Sequence, residues 1–106
     1  MSSIYEKKVL NSLIDKYETS KSFIGSNQVN QRFKICISKL FTEYTDHSNF
    51  EVFMDVNEAI DVLKSKGYIV AKMDSRKVYE NVFLSLDNLS EIYKYLKRKP
   101  KNDINT

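Results

Sequence analysis

The chain has few of the residues that cross-link or punctuate a fold: of 106 residues two are glycine, one is proline, one cysteine, one histidine and none tryptophan. A lone cysteine, Cys36, closes no internal disulfide and builds no structural zinc centre, and His47 has no second histidine to share a metal with. Gly25 and Gly67 are too few for a glycine-rich phosphate loop. No run approaches the roughly 18 apolar residues of a membrane span, and the N-terminus lacks the apolar core of a signal peptide. The expectation is a cytoplasmic chain that needs no cofactor, no metal and no membrane. A net charge of +3 is too mild to announce a nucleic-acid binder. Its distribution says more, because the acids gather in residues 48–69 and the bases towards the C-terminal end.

What is present is organised around the stretch from Ser48 to Leu86. Ser48 and Glu51 have capping-box spacing, in which hydroxyl and carboxylate each satisfy an open backbone N–H. At 100° per residue Val52, Phe53, Val56, Ala59, Ile60 and Leu63 share one face, which predicts a core-facing helix over 49–66. Gly67 supplies the left-handed residue that ends it, with Lys64 and Lys66 at the negative end of the helix dipole. Tyr68, Ile69 and Val70 then read as a strand, residues 73–77 as a charged turn, and 79–86 as a second strand.

Upstream, Ser3 and Glu6 repeat the capping-box spacing, and Val9, Leu10, Leu13, Ile14 and Tyr17 line one face of a helix over about residues 4–18. Residues 19–31 are rich in Ser, Asn, Gln and Gly without periodicity, a loop composition, and long for a connection in so small a domain. Residues 32–37 alternate, with Phe33, Ile35 and Ile37 on one side, as a half-buried edge strand does. Ser38 is placed to cap a short helix ending near Tyr44, and residues 45–49 to form the turn before the long helix. Asp87 or Asn88 caps a last helix with Leu89, Ile92, Tyr93 and Leu96 inward, and Pro100 ends it. The order is that of an α+β winged helix-turn-helix with one added C-terminal helix, over residues 1–99, followed by a tail or linker over 100–106.

The opening Tyr5-Glu6-Lys7-Lys8-Val9-Leu10 with Leu13, Asp15-Lys16-Tyr17-Glu18 and Ser20-Lys21-Ser22, then Glu58-Ala59 to Leu63 and Lys66-Gly67-Tyr68-Ile69, resembles the N-terminal region of the Wadjet JetD family. The likeness covers about residues 5–98 and rests on helix-face residues and a helix-ending glycine. Members of that family act in bacterial defence against plasmid DNA beside an ATPase complex of the chromosome-maintenance type, and carry a metal-binding Toprim nuclease domain related to topoisomerase VI after a winged-helix region. The resemblance implies a DNA-linked accessory domain with partner subunits. It carries over no activity, because no acidic Toprim cluster occurs in this chain.

The residues themselves offer no chemistry of their own. Tyr17, Tyr44 and Tyr93 fall on core-facing positions and Tyr68 and Tyr79 on strands, so ordinary aromatic packing accounts for them better than a topoisomerase-like nucleophile. His47 reads as a surface turn residue beside Asp46, and Cys36 as an inert thiol near Arg32 and Lys34. No catalytic residue is assigned, and the chain alone is expected not to be an enzyme. The long helix presents Glu51, Asp55, Glu58 and Asp61 outward, and acids in a major groove would be repelled by phosphates, so Asn49 and Asn57 are not expected to read bases there. Two functions remain. In one, Lys72, Arg76 and Lys77 on the wing and Lys94, Lys97 and Arg98 near the end, with Lys99 and Lys101, touch the DNA backbone weakly and without sequence preference. In the other, Phe50 and Met54 with Glu51, Asp55, Glu58 and Asp61 dock a basic protein partner. A stand-alone dimeric transcription regulator, and hence a homodimer, is the runner-up.

Overall fold

The computed structural model describes residues 3–20, 33–42, 44 and 50–100. It is a mixed α+β chain in which helices cover one face of a three-stranded antiparallel sheet. Helix α1 spans Ser3–Ser20, strand β1 Lys34–Cys36, helix α2 Ile37–Leu40, helix α3 Phe50–Lys66, strand β2 Ile69–Ala71, strand β3 Asn81–Leu84 and helix α4 Leu89–Leu96, the last preceded by a single 3-10 turn at Leu86–Asn88. Strand β3 is central, with β1 and β2 on its two sides. Residues 21–32, with the expected loop and Arg32, and residues 45–49, with His47 and the expected Ser48 cap and turn, lie outside the described residues.

The helical periodicities hold. Val9, Leu10, Leu13 and Ile14 of α1 and Val56, Ala59, Ile60 and Leu63 of α3 are all fully buried. Val52 and Phe53, expected on the same buried face, are only half-buried: in the first turn of α3 they pack against the margin of the core. Helix α1 packs on α3, on α4 and on the sheet. The register pairs Ile35 with Val82 and Ala71 with Val82, and Ile69 with Leu84, so these residues turn to the core, while Lys34, Phe83 and Val70 form a row on the outer side. Phe33 and Ile37 join the core from just outside β1, and the pairing extends through Leu84 N–H to the Phe33 carbonyl at 3.1 Å and Ile37 N–H to the Glu80 carbonyl at 2.7 Å.

The caps differ from local expectation where a tertiary partner competes. Ser38 does not open α2: Cys36 stands at the N-cap, and the Ser38 hydroxyl and N–H both donate to the Glu80 carboxylate, at 2.6 and 3.2 Å. Helix α2 also stops at Leu40, well short of Tyr44. Asn88 stands at the N-cap of α4 but makes no side-chain cap there; its amide donates to the Gly67 carbonyl at 2.7 Å and so closes the end of α3 instead. Glu6 likewise accepts the Tyr95 hydroxyl from α4. The strand before the charged turn is shifted by one residue and the strand after it is shorter than expected, leaving Tyr68 and Tyr79 outside them.

Two helices end in the same way. In α3 Gly67 takes φ +81°, its N–H donates to the Lys64 carbonyl at 2.9 Å, and Tyr68 N–H reaches the Leu63 carbonyl at 3.1 Å, the paired bonds of a Schellman turn. In α4 Lys97 occupies the equivalent place at φ 56°, with Lys97 N–H on the Lys94 carbonyl and Arg98 N–H on the Tyr93 carbonyl, both 3.1 Å. The left-handed turn at Lys97, and not Pro100, therefore ends the helix. A Cβ at Gly67 would meet Asn88 Nδ2 at 3.1 Å as well as strain the backbone. Gly67→Ala should thus lose about 1 kcal/mol or more, and Lys97→Gly should gain up to about 1 kcal/mol. Urea denaturation should move the two midpoints in opposite directions; a shared direction would contradict this account of the helix ends.

Candidate nucleic-acid and partner interfaces

The loop between β2 and β3 is shaped at its tip by one carboxylate. Asp74 Oδ1 accepts Arg76 N–H at 2.8 Å and Val78 N–H at 3.2 Å, while Oδ2 accepts Arg76 Nη2 at 2.8 Å and Nε at 3.2 Å. The backbone closes around it, Lys77 N–H on the Asp74 carbonyl at 2.9 Å and Asp74 N–H on the Val78 carbonyl at 3.0 Å. Ser75, Arg76 and Lys77 therefore form a three-residue hairpin loop with Lys77 left-handed at φ 67°, where glycine is more usual. The hydrogen bonds from Arg76 hold the Asp74 carboxyl below its ordinary range. Lys72, Arg76 and Lys77 are all exposed, but Arg76 shares its charge with Asp74. Among the described residues Lys72 and Lys77 have no ion-pair partner.

The base of the hairpin is fixed by side chains, since residues 72–80 form no strand. The fully buried Tyr44 accepts Tyr79 N–H at 2.7 Å and donates to Asn57 Oδ1, while Asn57 Nδ2 donates to the Lys77 carbonyl at 3.2 Å. Tyr79 donates its hydroxyl to Asp61 at 2.6 Å, with Lys64 Nζ 4.9 Å from its ring centre. Sequence reasoning placed Asn57 and Asp61 on the outward side of the helix; the structure gives both to the hairpin. On the other side, Glu80 Oε2 accepts Cys36 Sγ at 2.5 Å besides the two Ser38 donors. Burial pushes the Glu80 carboxyl up, and these donors outweigh it and hold it below its ordinary value.

The expected basic cluster at the end of the chain is divided. Lys97 is exposed, and Lys94 pairs loosely with Glu91 at 3.7 Å. Arg98 does not face solvent as expected: its guanidinium folds onto α1, donating to Asn11 Oδ1 at 2.5 Å, Asp15 Oδ1 at 2.8 Å and Glu18 Oε1 at 3.1 Å. Tyr93 donates to the second Glu18 oxygen at 2.6 Å. Arg98 thus ties α4 to α1, and a phosphate would have to compete with two carboxylates for it.

The outer side of α3 begins with an aromatic ladder. The Tyr44 ring stacks on Phe53 at 5.3 Å and Phe53 on Phe50 at 6.0 Å, so burial decreases along the series. Phe50 is 66 % exposed and Met54 50 %. Glu51 and Glu58 are exposed beside them and Asp55 is half-buried, whereas Asp61 is engaged with Tyr79. Among the described residues no group of three His, Cys, Asp or Glu side chains comes together to hold a metal ion, and no helix is long and apolar enough to cross a membrane. Sequence reasoning missed a third feature, the gathering of Lys16, Lys34 and Lys39 around one groove, because they come from three separate elements. A comparison with protein families, curated proteins and solved structures finds no match.

The tyrosines give a test of the hairpin anchorage. Burial raises Tyr44 to about 12, the hydrogen bond to Asp61 raises Tyr79 to about 12, and burial followed by the bond to Glu6 raises Tyr95 to about 12. These hydroxyls ionise later than a free phenol, so their contribution is complete below pH 10 and is lost as pH climbs through about 12. Phenolate absorbance from these three side chains should therefore rise only as pH approaches about 12, together with loss of helical circular dichroism. Tyr44→Phe leaves the Tyr79 N–H without its buried acceptor and should cost about 1–3 kcal/mol in urea denaturation.

Proposed function

We propose that the chain is a winged-helix domain like the N-terminal region of the Wadjet JetD family, non-catalytic by itself, which positions a DNA-cleaving assembly through weak, sequence-indifferent contacts to the DNA backbone. The observation that carries this reading is the separation of charge between the hairpin and α3. The bases Lys72, Arg76 and Lys77 stand on a shaped, exposed loop, and the outward side of α3 is acidic. A helix carrying Glu51 and Glu58 outward is repelled by the phosphates that flank a major groove, so the hairpin, acting as the wing, is the better DNA contact. Lysines reach phosphates as point charges and do not read base edges, which makes the contact indifferent to sequence.

Partner docking is favoured by a separate observation. Phe50 and Met54 expose apolar surface next to Glu51 and Glu58, and a basic partner with an apolar anchor complements both. The two activities use different surfaces and are compatible.

Fluorescence anisotropy with labelled duplexes of unrelated sequence should give similar Kd values of about 1–100 μM near physiological salt. Lys72→Gln with Lys77→Gln should reduce the magnitude of the salt slope by about 2, at roughly 0.9 per phosphate contact. Tight binding of one sequence alone would overturn the reading, and so would an unchanged slope in the double variant. For docking, Phe50→Ser with Met54→Ser should abolish capture of the co-expressed partner subunits while leaving duplex binding intact. Unchanged capture would remove the docking role.

A further inference from the structure

Strand β1 ends a sheet whose outer edge is lined with cations drawn from three elements. Lys16 comes from α1, Lys34 from β1 and Lys39 from α2, and together they surround an open groove of about 490 Å³. Ile35 and Leu40 form its apolar floor, and Asn81, the first residue of β3, stands at one side. No acidic residue lines the groove among the described residues. The nearest carboxylate the structure connects to it is Glu80, whose Oε2 is occupied by donors from Cys36 and Ser38. None of the three lysines has an ion-pair partner among the described residues. Lys16 Nζ donates to the Lys34 carbonyl at 2.7 Å, and Lys34 Nζ lies 6.0 Å from the Phe83 ring centre on the outer side of the sheet.

Three cations that line one groove without an ion-pair partner among the described residues repel one another, so their best partner is a ligand with repeated negative charge. We propose that this groove binds the sugar–phosphate backbone of nucleic acid as a second contact, on the path that begins at the β2–β3 hairpin; this rests on the DNA-backbone reading above. Continuity supports it, because Asn81 both lines the groove and is where the hairpin rejoins the sheet. At about 3.3 Å per extended residue, the return arm from Val78 to Asn81 spans roughly 10 Å, a distance over which a backbone presents more than one phosphate. An acidic peptide adding as a strand to the β1 edge is disfavoured, since Lys16 already occupies the Lys34 carbonyl there. A membrane surface fits less well, since Ile35 and Leu40 are half-buried in the floor and none of the large exposed apolar side chains lies in the groove.

The test compares the full chain with Lys34→Gln/Lys39→Gln and with a charge-matched control, Lys7→Gln/Lys66→Gln, whose two lysines stand over the Tyr95 ring on another corner of the molecule. Lys16 is kept because of its bond to the Lys34 carbonyl, and circular dichroism verifies the fold of each variant; Lys39→Gln alone replaces the pair if that fails to fold. Anisotropy with a labelled duplex at several salt concentrations should show the slope reduced in magnitude by about 1.8 in the groove variant, at roughly 0.9 per lysine, and affinity lowered on the order of tenfold per lysine near 0.1 M salt. The control should match the wild-type slope. A groove variant indistinguishable from wild type overturns the groove, while loss of binding in the Lys72/Lys77 variant keeps the hairpin reading intact. An equal loss in the control reduces the effect to net charge and also overturns it. Groove lysines that govern binding of a polyglutamate probe but not of the duplex assign the surface to an acidic protein instead. A wild-type chain that binds no duplex even at low salt overturns the groove and the DNA-backbone reading together.

Discussion

The hydroxyl of Tyr44 is the joint on which the arrangement of the hairpin depends. Its ring is fully buried, so an unmatched hydroxyl or an unmatched N–H beside it would cost about 1–3 kcal/mol. Both are matched at once, by Tyr79 N–H at 2.7 Å and by Asn57, and Asn57 passes the constraint to the Lys77 carbonyl. A hairpin with no strand ladder between Ala71 and Asn81 has little else in its backbone to aim it. Its direction relative to α3 is therefore set by side-chain hydrogen bonds that water cannot easily replace, because their centre is dry.

The next two residues show how the clamp works. Extended backbone sends successive side chains to opposite sides. Tyr79 accordingly reaches Asp61 on α3, and Glu80 reaches Ser38 and Cys36 at the start of α2. The returning arm of the hairpin is held from both sides within two residues. Each tie joins a donor to a carboxylate, the stronger class of hydrogen bond, and the partial burial of Glu80 makes its loss more costly than an exposed bond would be. The tip is left outside this clamp, with Asp74 as its own organiser.

The helices were legible in the sequence because periodicity is a local property that burial enforces. Val9, Leu10, Leu13 and Ile14, or Val56, Ala59, Ile60 and Leu63, declare their faces by spacing alone, and Gly67 marks its turn because few other residues adopt φ +81° without strain. The α+β order followed from the same signals. The uses of polar side chains were less legible. Ser38, Asn88 and Asp61 carry the right chemistry for a local cap or a solvated face, and each was taken by a group far away in sequence: Glu80, Gly67 and Tyr79. A capping rule compares one helix end with water. It has no means of weighing a buried tertiary acceptor that only the finished fold supplies. Lys97 was a different kind of miss, a left-handed position without the glycine that would have announced it.

The same distinction governs the reading of charge. In sequence Arg98 belongs to the densest basic run, yet its guanidinium is bound to Asp15 and Glu18, and Asp61 belongs to an acidic face it does not serve. Arg76 is bound to Asp74 in the loop. The two arginines among the described residues are thus spent on positioning their own chain, the task for which a planar, multidentate donor is best suited. Among the described residues the cations without an ion pair are lysines, and they include Lys72 and Lys77 on the hairpin and Lys16, Lys34 and Lys39 beside the groove. Lysine offers a flexible stem and a point charge, which favours a repeated phosphate over any particular base. Among the described residues, this division of labour between the two cationic residue types supports the proposal of a surface that would grip a backbone without reading it.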